Sequence, residues 1–170
     1  IQSLHGPDSG NGWVRPEDED IFLSKRTRLI LRVPRAEVEK TSELTGKELL
    51  VHGNKIIVGN SSVKPFLVVP DLICRFVICN SNYDENSFLQ DVAKQLFQYG
   101  ISLKKAICGK TKKLYINDQL TTVRSLMIAD LKREDSIKLQ DIGVGEGRLF
   151  GCGIFLPHKS LDAVANFKED

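Results

Sequence analysis

Residues 112–157 read KKLYINDQLTTVRSLMIADLKREDSIKLQDIGVGEGRLFGCGIFLP. The first two runs, KKLYIND and QLTTVRSLMI, are β-prone and reverse around Asn117-Asp118, which predicts a pair of adjacent strands. The next run, DLKREDSIKLQDI (130–142), fits a short helix, and after the glycines LFGCGIFLP is typical of a last strand. This segment therefore predicts strand, strand, helix and strand in that order.

Two more elements precede this segment. Residues 71–79, DLICRFVIC, are strongly β-prone, and SFLQDVAKQLFQYG (87–100) places apolar residues at helical spacing until Gly100 ends the helix. The candidate caps of this helix are Asp84, Asn86 and Ser87. Residues 71–157 thus predict strand, helix, strand, strand, helix, strand, which is the split βαβ pattern of a ferredoxin-like fold.

The first half of the chain carries a partial copy of this pattern. We expect a loop or partly disordered start over residues 1–20, a strand over 28–33 and a helix over 35–46. KELLVHG and NKIIVGN then predict a hairpin that turns at Gly53-Asn54.

We therefore predict an α+β fold of two tandem ferredoxin-like, RRM-like modules. The first covers residues 1–69 and is incomplete at its N-terminus, and the second covers residues 70–170. The chain begins with Ile1 and its single methionine is Met127, so we expect that its natural N-terminal segment is missing.

Composition narrows the class of protein. The chain has 170 residues, 27% of them charged, and a net charge of +2. It holds no apolar run of membrane-spanning length and no secretory leader, which predicts a cytoplasmic protein without a membrane partner. The cysteines at positions 74, 79, 108 and 152 lack zinc-ligand spacing, so we expect buried reduced thiols and no metal or cofactor.

The glycine-rich segment GVGEGRLFGCG (143–153) lies between the last predicted helix and the last predicted strand. Nucleotide-binding glycine loops run from a strand into a helix, so this order argues against a P-loop or a dinucleotide fingerprint. Two explanations stay open at this point. The glycines either let helices and sheet pack closely, or they let a ligand approach the backbone.

The spacing of these glycines resembles the signature loop of a known family. Gly143-Val144-Gly145, five residues and Gly151-Cys152-Gly153 resemble the loop of the CRISPR repeat-processing endoribonucleases, members of the repeat-associated mysterious protein superfamily. SIKLQDIG, IFLP and the hairpin LYINDQLTTVRSLMIADL are also similar, most of all to a short variant subfamily. The resemblance covers about 70–158 well and the first half loosely.

The resemblance implies that the chain binds the stem-loop of a CRISPR repeat RNA. Successive glycine amides can form a nest for a phosphate, and Arg148 adds a planar cation. Two basic segments, 25–35 and 102–113, contain no acidic residue and suit an RNA backbone, although a solvated charged surface is the plainer explanation. The predicted RNA-binding residues are Gly143, Gly145, Gly147, Arg148, Gly151, Gly153, Arg26, Arg28, Lys104, Lys105, Lys110, Lys112 and Lys113.

The resemblance also implies metal-independent cleavage at the 3′ base of the hairpin. Attack by a 2′-hydroxyl leaves a 2′,3′-cyclic phosphate, and histidine is the natural acid or base for this step. His5 is our candidate catalytic residue because the family usually places a histidine in that neighbourhood. His52, His158, Tyr115 and Ser125 stay open as alternatives.

The resemblance further implies that the enzyme retains its product and joins other CRISPR effector subunits. Two other functions remain open. The first alternative is a non-catalytic guide-RNA-binding subunit of such a complex, and the second is a protein-interaction module with no role in RNA binding.

Overall fold

The computed structural model describes residues 28–51, 53–116 and 118–158. They divide into two compact units, a smaller one of Leu31–Phe66 and a larger one of residues 28–30 and 67–158. Within these ranges the helices and strands are α1 (Val38–Thr41), β1 (Glu48–Val51), β2 (Asn54–Ile57), β3 (Leu72–Ile78), α2 (Glu85–Phe97), β4 (Lys105–Cys108), β5 (Lys112–Ile116), β6 (Gln119–Ala129), α3 (Arg133–Ile142) and β7 (Phe155–Pro157). No helix among these residues is long and apolar enough to cross a membrane.

The smaller unit consists of one helical segment and one hairpin. Short 3₁₀ turns flank α1 on both sides, and β1 pairs antiparallel with β2. Val51 pairs with Asn54, so the turn comes one residue earlier than the predicted Gly53-Asn54. The strand predicted over 28–33 is wrong: these residues have no regular structure, because they pair with no strand in the described ranges.

The larger unit is an antiparallel sheet with two helices, as predicted from residues 71–157. Its strands lie in the order β4-β6-β3-β7, and β5 also pairs with β6. Strands β4 and β5 together form one edge, and β7 forms the other. The predicted α+β, ferredoxin-like fold is confirmed here. The division into modules at residues 69 and 70 stays a prediction.

The core of the larger unit lies between the sheet and its helices. Phe88, Val92 and Leu96 project from α2 onto Leu72 and Leu126 of the sheet, and all five side chains are buried. Helix α2 begins at the predicted cap, since the Asp84 carboxylate accepts a hydrogen bond of 2.7 Å from the Ser87 amide. That hydrogen bond lowers the pKa of Asp84.

Two strands differ from the prediction. Strand β4, within the lysine-rich segment, was not predicted. A bulge around Gly109 separates it from β5, because four steps from Cys108 to Lys112 oppose three from Leu126 to Val123. The last strand is only three residues long. Residues 149–153, which we predicted as its first half, belong instead to a 3₁₀ turn and the turns that follow it.

Candidate RNA-binding surface

The glycine loop, residues 143–153, crosses itself where it leaves α3. A Cβ atom on Gly143 would lie 2.3 Å from the Gly153 carbonyl oxygen, and one on Gly153 would lie 2.1 Å from the Val144 carbonyl oxygen. The Val144 amide donates to the Gly153 carbonyl across this crossing, at 3.1 Å. Both glycines have positive φ. Close packing of backbone on backbone therefore requires glycine at these two positions.

Most glycine amides of the loop are already hydrogen-bonded within the protein. The amides of Gly143, Gly145, Gly151 and Gly153 donate to Leu139 O, Gln95 Oε1, Arg148 O and Phe76 O, respectively. These four donors are therefore occupied and are not free for the phosphate nest that we predicted from successive glycine amides. Any other role of these glycines in binding RNA stays a prediction.

The loop tip, residues 146–150, is different. Within the described ranges, the amides of Glu146, Gly147 and Arg148 donate no hydrogen bond to the protein. Gly147 has left-handed backbone geometry, with φ 77° and ψ 21°, and a right-handed 3₁₀ turn follows it. An alternation of left-handed and right-handed residues is typical of anion-binding turns. The tip therefore keeps three consecutive donors for an anion, beside the exposed carboxylate of Glu146.

Arg148 is exposed and anchored at the end of α3. Its Nη2 donates to the Asp141 carbonyl oxygen at 2.6 Å, at the negative end of the helix dipole. One hydrogen bond leaves other donors of the guanidinium fork for a ligand. Arg148 thus has a structural partner and still offers positive charge next to the free amides.

Strand register places Lys112 on the same face as the loop tip. Lys112 pairs with Val123, Val123 pairs with Ile78, and a Cβ on Gly147 would lie 2.7 Å from Ile78 Cδ1. Directly paired residues of antiparallel strands project to one face, so these four residues form a continuous row, which we call the end row. Lys112 and Ile78 are two strand spacings apart, about 10 Å.

The end row lies on the face of the sheet opposite the two helices. Val123 is buried but lies outside the main core. Arg124, the next residue of β6, faces the helices, since its guanidinium carbon lies 5.9 Å from the centroid of the Phe88 ring on α2. Lys113 follows Lys112 along β5 and therefore projects to the helix side.

The predicted lysines occupy the edge opposite β7. Lys105 forms an ion pair of 2.6 Å with Asp130. The other four are exposed and form no ion pair with a residue in the described ranges, so their charge is available; they are Lys104, Lys110, Lys112 and Lys113. Register brings one of the predicted lysines, Lys112, into the end row with the loop tip.

Several predicted residues are not among the described residues of this surface. His5, Arg26 and His52 lie outside the described residues. Arg28 is exposed in a segment without regular structure. Arg32 belongs to the smaller unit, where its guanidinium lies 4.8 Å from the centroid of the Phe66 ring.

The alternatives to His5 are also scattered. The His158 amide donates to Asp71 O, beside the start of β3. The loop tip lies by Ile78 at the other end of that strand, about 23 Å away. Tyr115 is 78% exposed on β5, and by alternation it projects away from the end-row face. Ser125 lies on the end-row face, and a Cβ on Gly109 would be 2.3 Å from its hydroxyl oxygen.

Two polar residues that sequence reasoning missed support this surface. Gln95 on α2 accepts the Gly145 amide at 3.0 Å and donates to Asp91 Oδ2 at 2.9 Å, so it ties the loop to the helix. Arg124 donates to Gly109 O at 3.1 Å and to Tyr83 O at 3.0 Å. A glutamine on a partly polar helix gives no sequence signal. An arginine at an inward-facing position of an apolar strand is a signal that could have found Arg124.

The cysteines near Arg124 are neutral thiols. Burial raises the pKa of Cys79 and of Cys108, and the neighbouring Arg124 only partly opposes this. Neither is therefore poised as a thiolate nucleophile.

Comparison with known proteins identifies the family. A family model described as Cas6 Crispr matches residues 1–160. The chain belongs to the Cas6 family. It is similar to the CRISPR-associated endonuclease Cas6 of Myxococcus xanthus (strain DK1622), with 27% identity over 139 residues, which are 82% of this chain and 60% of that protein. The chain thus spans about 60% of the length of this curated Cas6 relative. The family resemblance drawn from the glycine spacing is confirmed.

Proposed function

We propose that this chain is an endoribonuclease that binds the repeat hairpin of precursor CRISPR RNA, cleaves it without a metal ion and retains the product. Membership in the Cas6 family and the name of the Myxococcus relative support the nuclease class. The observation that carries the binding site is the end row, which joins a cationic side chain to a loop tip with three free backbone amides on one face of the sheet.

In this proposal the RNA backbone runs from the loop tip to Lys112 at the two ends of the end row. One phosphate binds the amides of Glu146, Gly147 and Arg148, with the Arg148 guanidinium beside it. Lys112, at the other end of the row, neutralises a second phosphate, and Lys110 lies just before it on the same edge. Arg26, Arg28 and Lys104 remain proposed RNA contacts outside the end row.

The cleavage step needs three chemical functions. A general base takes the proton of the 2′-hydroxyl as its oxygen attacks the adjacent phosphorus. The bond from phosphorus to the 5′-oxygen breaks, and a general acid gives that oxygen a proton, so the products are a 2′,3′-cyclic phosphate and a 5′-hydroxyl. Arg148 and the free amides supply the positive field that stabilises the phosphorane. His5 is the proposed acid or base.

Cleavage of end-labelled repeat RNA in excess EDTA tests the activity. We expect a product with a cyclic-phosphate end, which co-elutes with the protein at stoichiometric enzyme. His5→Ala should abolish cleavage and leave binding intact, while the matched control His158→Ala should cleave like the wild type. Cleavage only with added divalent ions would refute the metal-independent mechanism. Binding without cleavage by the wild type would favour a non-catalytic guide-RNA-binding subunit.

The same proposal includes the setting of the enzyme. It acts in the prokaryotic cytoplasm, where CRISPR transcripts are made, and it delivers its bound product to other effector subunits. Co-purification of those subunits with the protein and its RNA, lost after ribonuclease treatment, tests this part.

A further inference from the structure

The loop tip displays two large apolar side chains beside its anion donors. Leu149 is 83% exposed and Phe150 is 52% exposed. A single exposed apolar residue needs no explanation, but here two adjoin three unused amides and an exposed guanidinium. The segment therefore combines features that suit both a phosphate and an apolar ring.

The backbone holds these side chains in fixed directions. The Phe150 amide donates to Gly147 O at 2.9 Å, and the Gly151 amide donates to Arg148 O at 3.1 Å. Left-handed glycines bound the turn on both sides, at Gly147 and Gly151. A 3₁₀ turn advances about 2 Å and one third of a revolution per residue. Phe150 therefore lies about 4 Å along the axis from Arg148, and its side chain projects in a different direction from that of Arg148.

We infer that Phe150 is a stacking platform for one unpaired nucleobase of the bound RNA. This inference rests on the proposed function, because it needs a phosphate at the loop tip. A nucleotide whose phosphate sits on the free amides carries its base, or that of its neighbour, within reach of a ring so close by. A base already stacked inside a duplex is not accessible, and the proposed cleavage lies at the 3′ base of the stem, so we assign the occupant to a nucleotide flanking the stem and not to the hairpin loop. Every base has a π-face, so the subsite tolerates any base.

Two RNAs and four variants test the subsite. The RNAs are the repeat hairpin with its single-stranded flanks and the same stem-loop with blunt ends. Phe150→Leu removes the ring but keeps an apolar side chain, Phe150→Ala removes both, and Phe150→Trp preserves stacking. Leu149→Ala is the control for the neighbouring apolar residue, and thermal unfolding checks that each variant is folded.

The expected result is a loss confined to the flanked RNA. Phe150→Leu and Phe150→Ala should weaken its binding about 5- to 150-fold, without changing the dependence of Kd on salt. Phe150→Trp should bind like the wild type. The Trp13→Phe substitution removes the single native tryptophan. In that background, the fluorescence of the tryptophan introduced by Phe150→Trp should be quenched by the flanked RNA. Leu149→Ala should bind like the wild type.

Three outcomes would overturn the inference. They are unchanged binding by Phe150→Leu, an equal loss for blunt and flanked RNA, and an equal loss in Leu149→Ala. If the proposed function itself were wrong, the wild-type protein would bind neither RNA. That result is distinguishable from these three outcomes, in which the wild-type protein binds RNA.

Discussion

Replacement of Gly153 by alanine tests the packing role of the glycine loop. Gly153 has φ 66°, and a Cβ there would lie 2.1 Å from the Val144 carbonyl oxygen. A contact this short is with backbone, so no side-chain rotation relieves it. The backbone segments at Val144 and Gly153 must therefore move apart where they cross. That motion breaks two hydrogen bonds, from Val144 N to Gly153 O and from Gly153 N to Phe76 O.

The cost follows from these contacts. The left-handed conformation costs alanine about 1–2 kcal/mol, and each broken hydrogen bond costs about 1 kcal/mol. Alanine regains about 0.4–1 kcal/mol because it restricts the unfolded chain. The net loss in the free energy of unfolding is about 3 kcal/mol, which lowers Tm by about 6–12 °C in a chain of this length.

Gly100→Ala is the matched control. Gly100 lies in the same unit with φ 73°, but a Cβ atom there would have open space around it, with no contact within 4 Å beyond its own chain neighbours. It should therefore lose about 1 kcal/mol, from backbone strain alone. Thermal and urea unfolding of both variants measure the difference. Equal losses in the two variants would refute the argument that close packing, rather than φ alone, requires glycine at position 153.

Three other substitutions have defined outcomes. Gln95→Ala should speed hydrogen exchange of the Gly145 amide and weaken RNA binding a few-fold, and unchanged exchange would show that Gln95 does not hold the loop. Arg148→Gln should lower the slope of log Kd against log salt concentration by about 0.7–0.9, as for one lost phosphate contact; an unchanged slope would place Arg148 off the RNA. Asp84→Ala should lower Tm at pH 7. Because the folded-state pKa of Asp84 is depressed, its stabilisation is present above its unfolded pKa and is lost as pH falls through the folded one, so the two Tm values should converge in acid; a constant difference would contradict this.

The order of elements in residues 71–157 was predictable because their hydrophobic periods are regular. Helix α2 carries Phe88, Val92 and Leu96 at helical spacing, and all three are buried. Strand β4 was missed since it is short, begins at the second of two adjacent lysines and is followed by a bulge at Gly109. Such a bulge depends on the partner strand, which periodicity within one segment does not reveal.

The site was predicted less completely than the fold. The glycine spacing identified the family, yet it could not show which amides are occupied. Those acceptors, Gln95 Oε1 and Phe76 O, come from residues 50 or more positions away. Arg148 and Lys112 were named as cations, but only the strand register shows that Lys112 shares a face with the loop tip and that Lys113 does not.

The adjacent lysines of β5 give the most direct test of the end row. Both are exposed and neither forms an ion pair with a residue in the described ranges, but they project to opposite faces. The measurement is the Kd of repeat RNA against salt concentration for Lys112→Gln and Lys113→Gln. The account predicts weaker binding and a slope lower by about 0.7–0.9 for Lys112→Gln, with little change for Lys113→Gln. Equal effects, or a larger effect at Lys113, would contradict it.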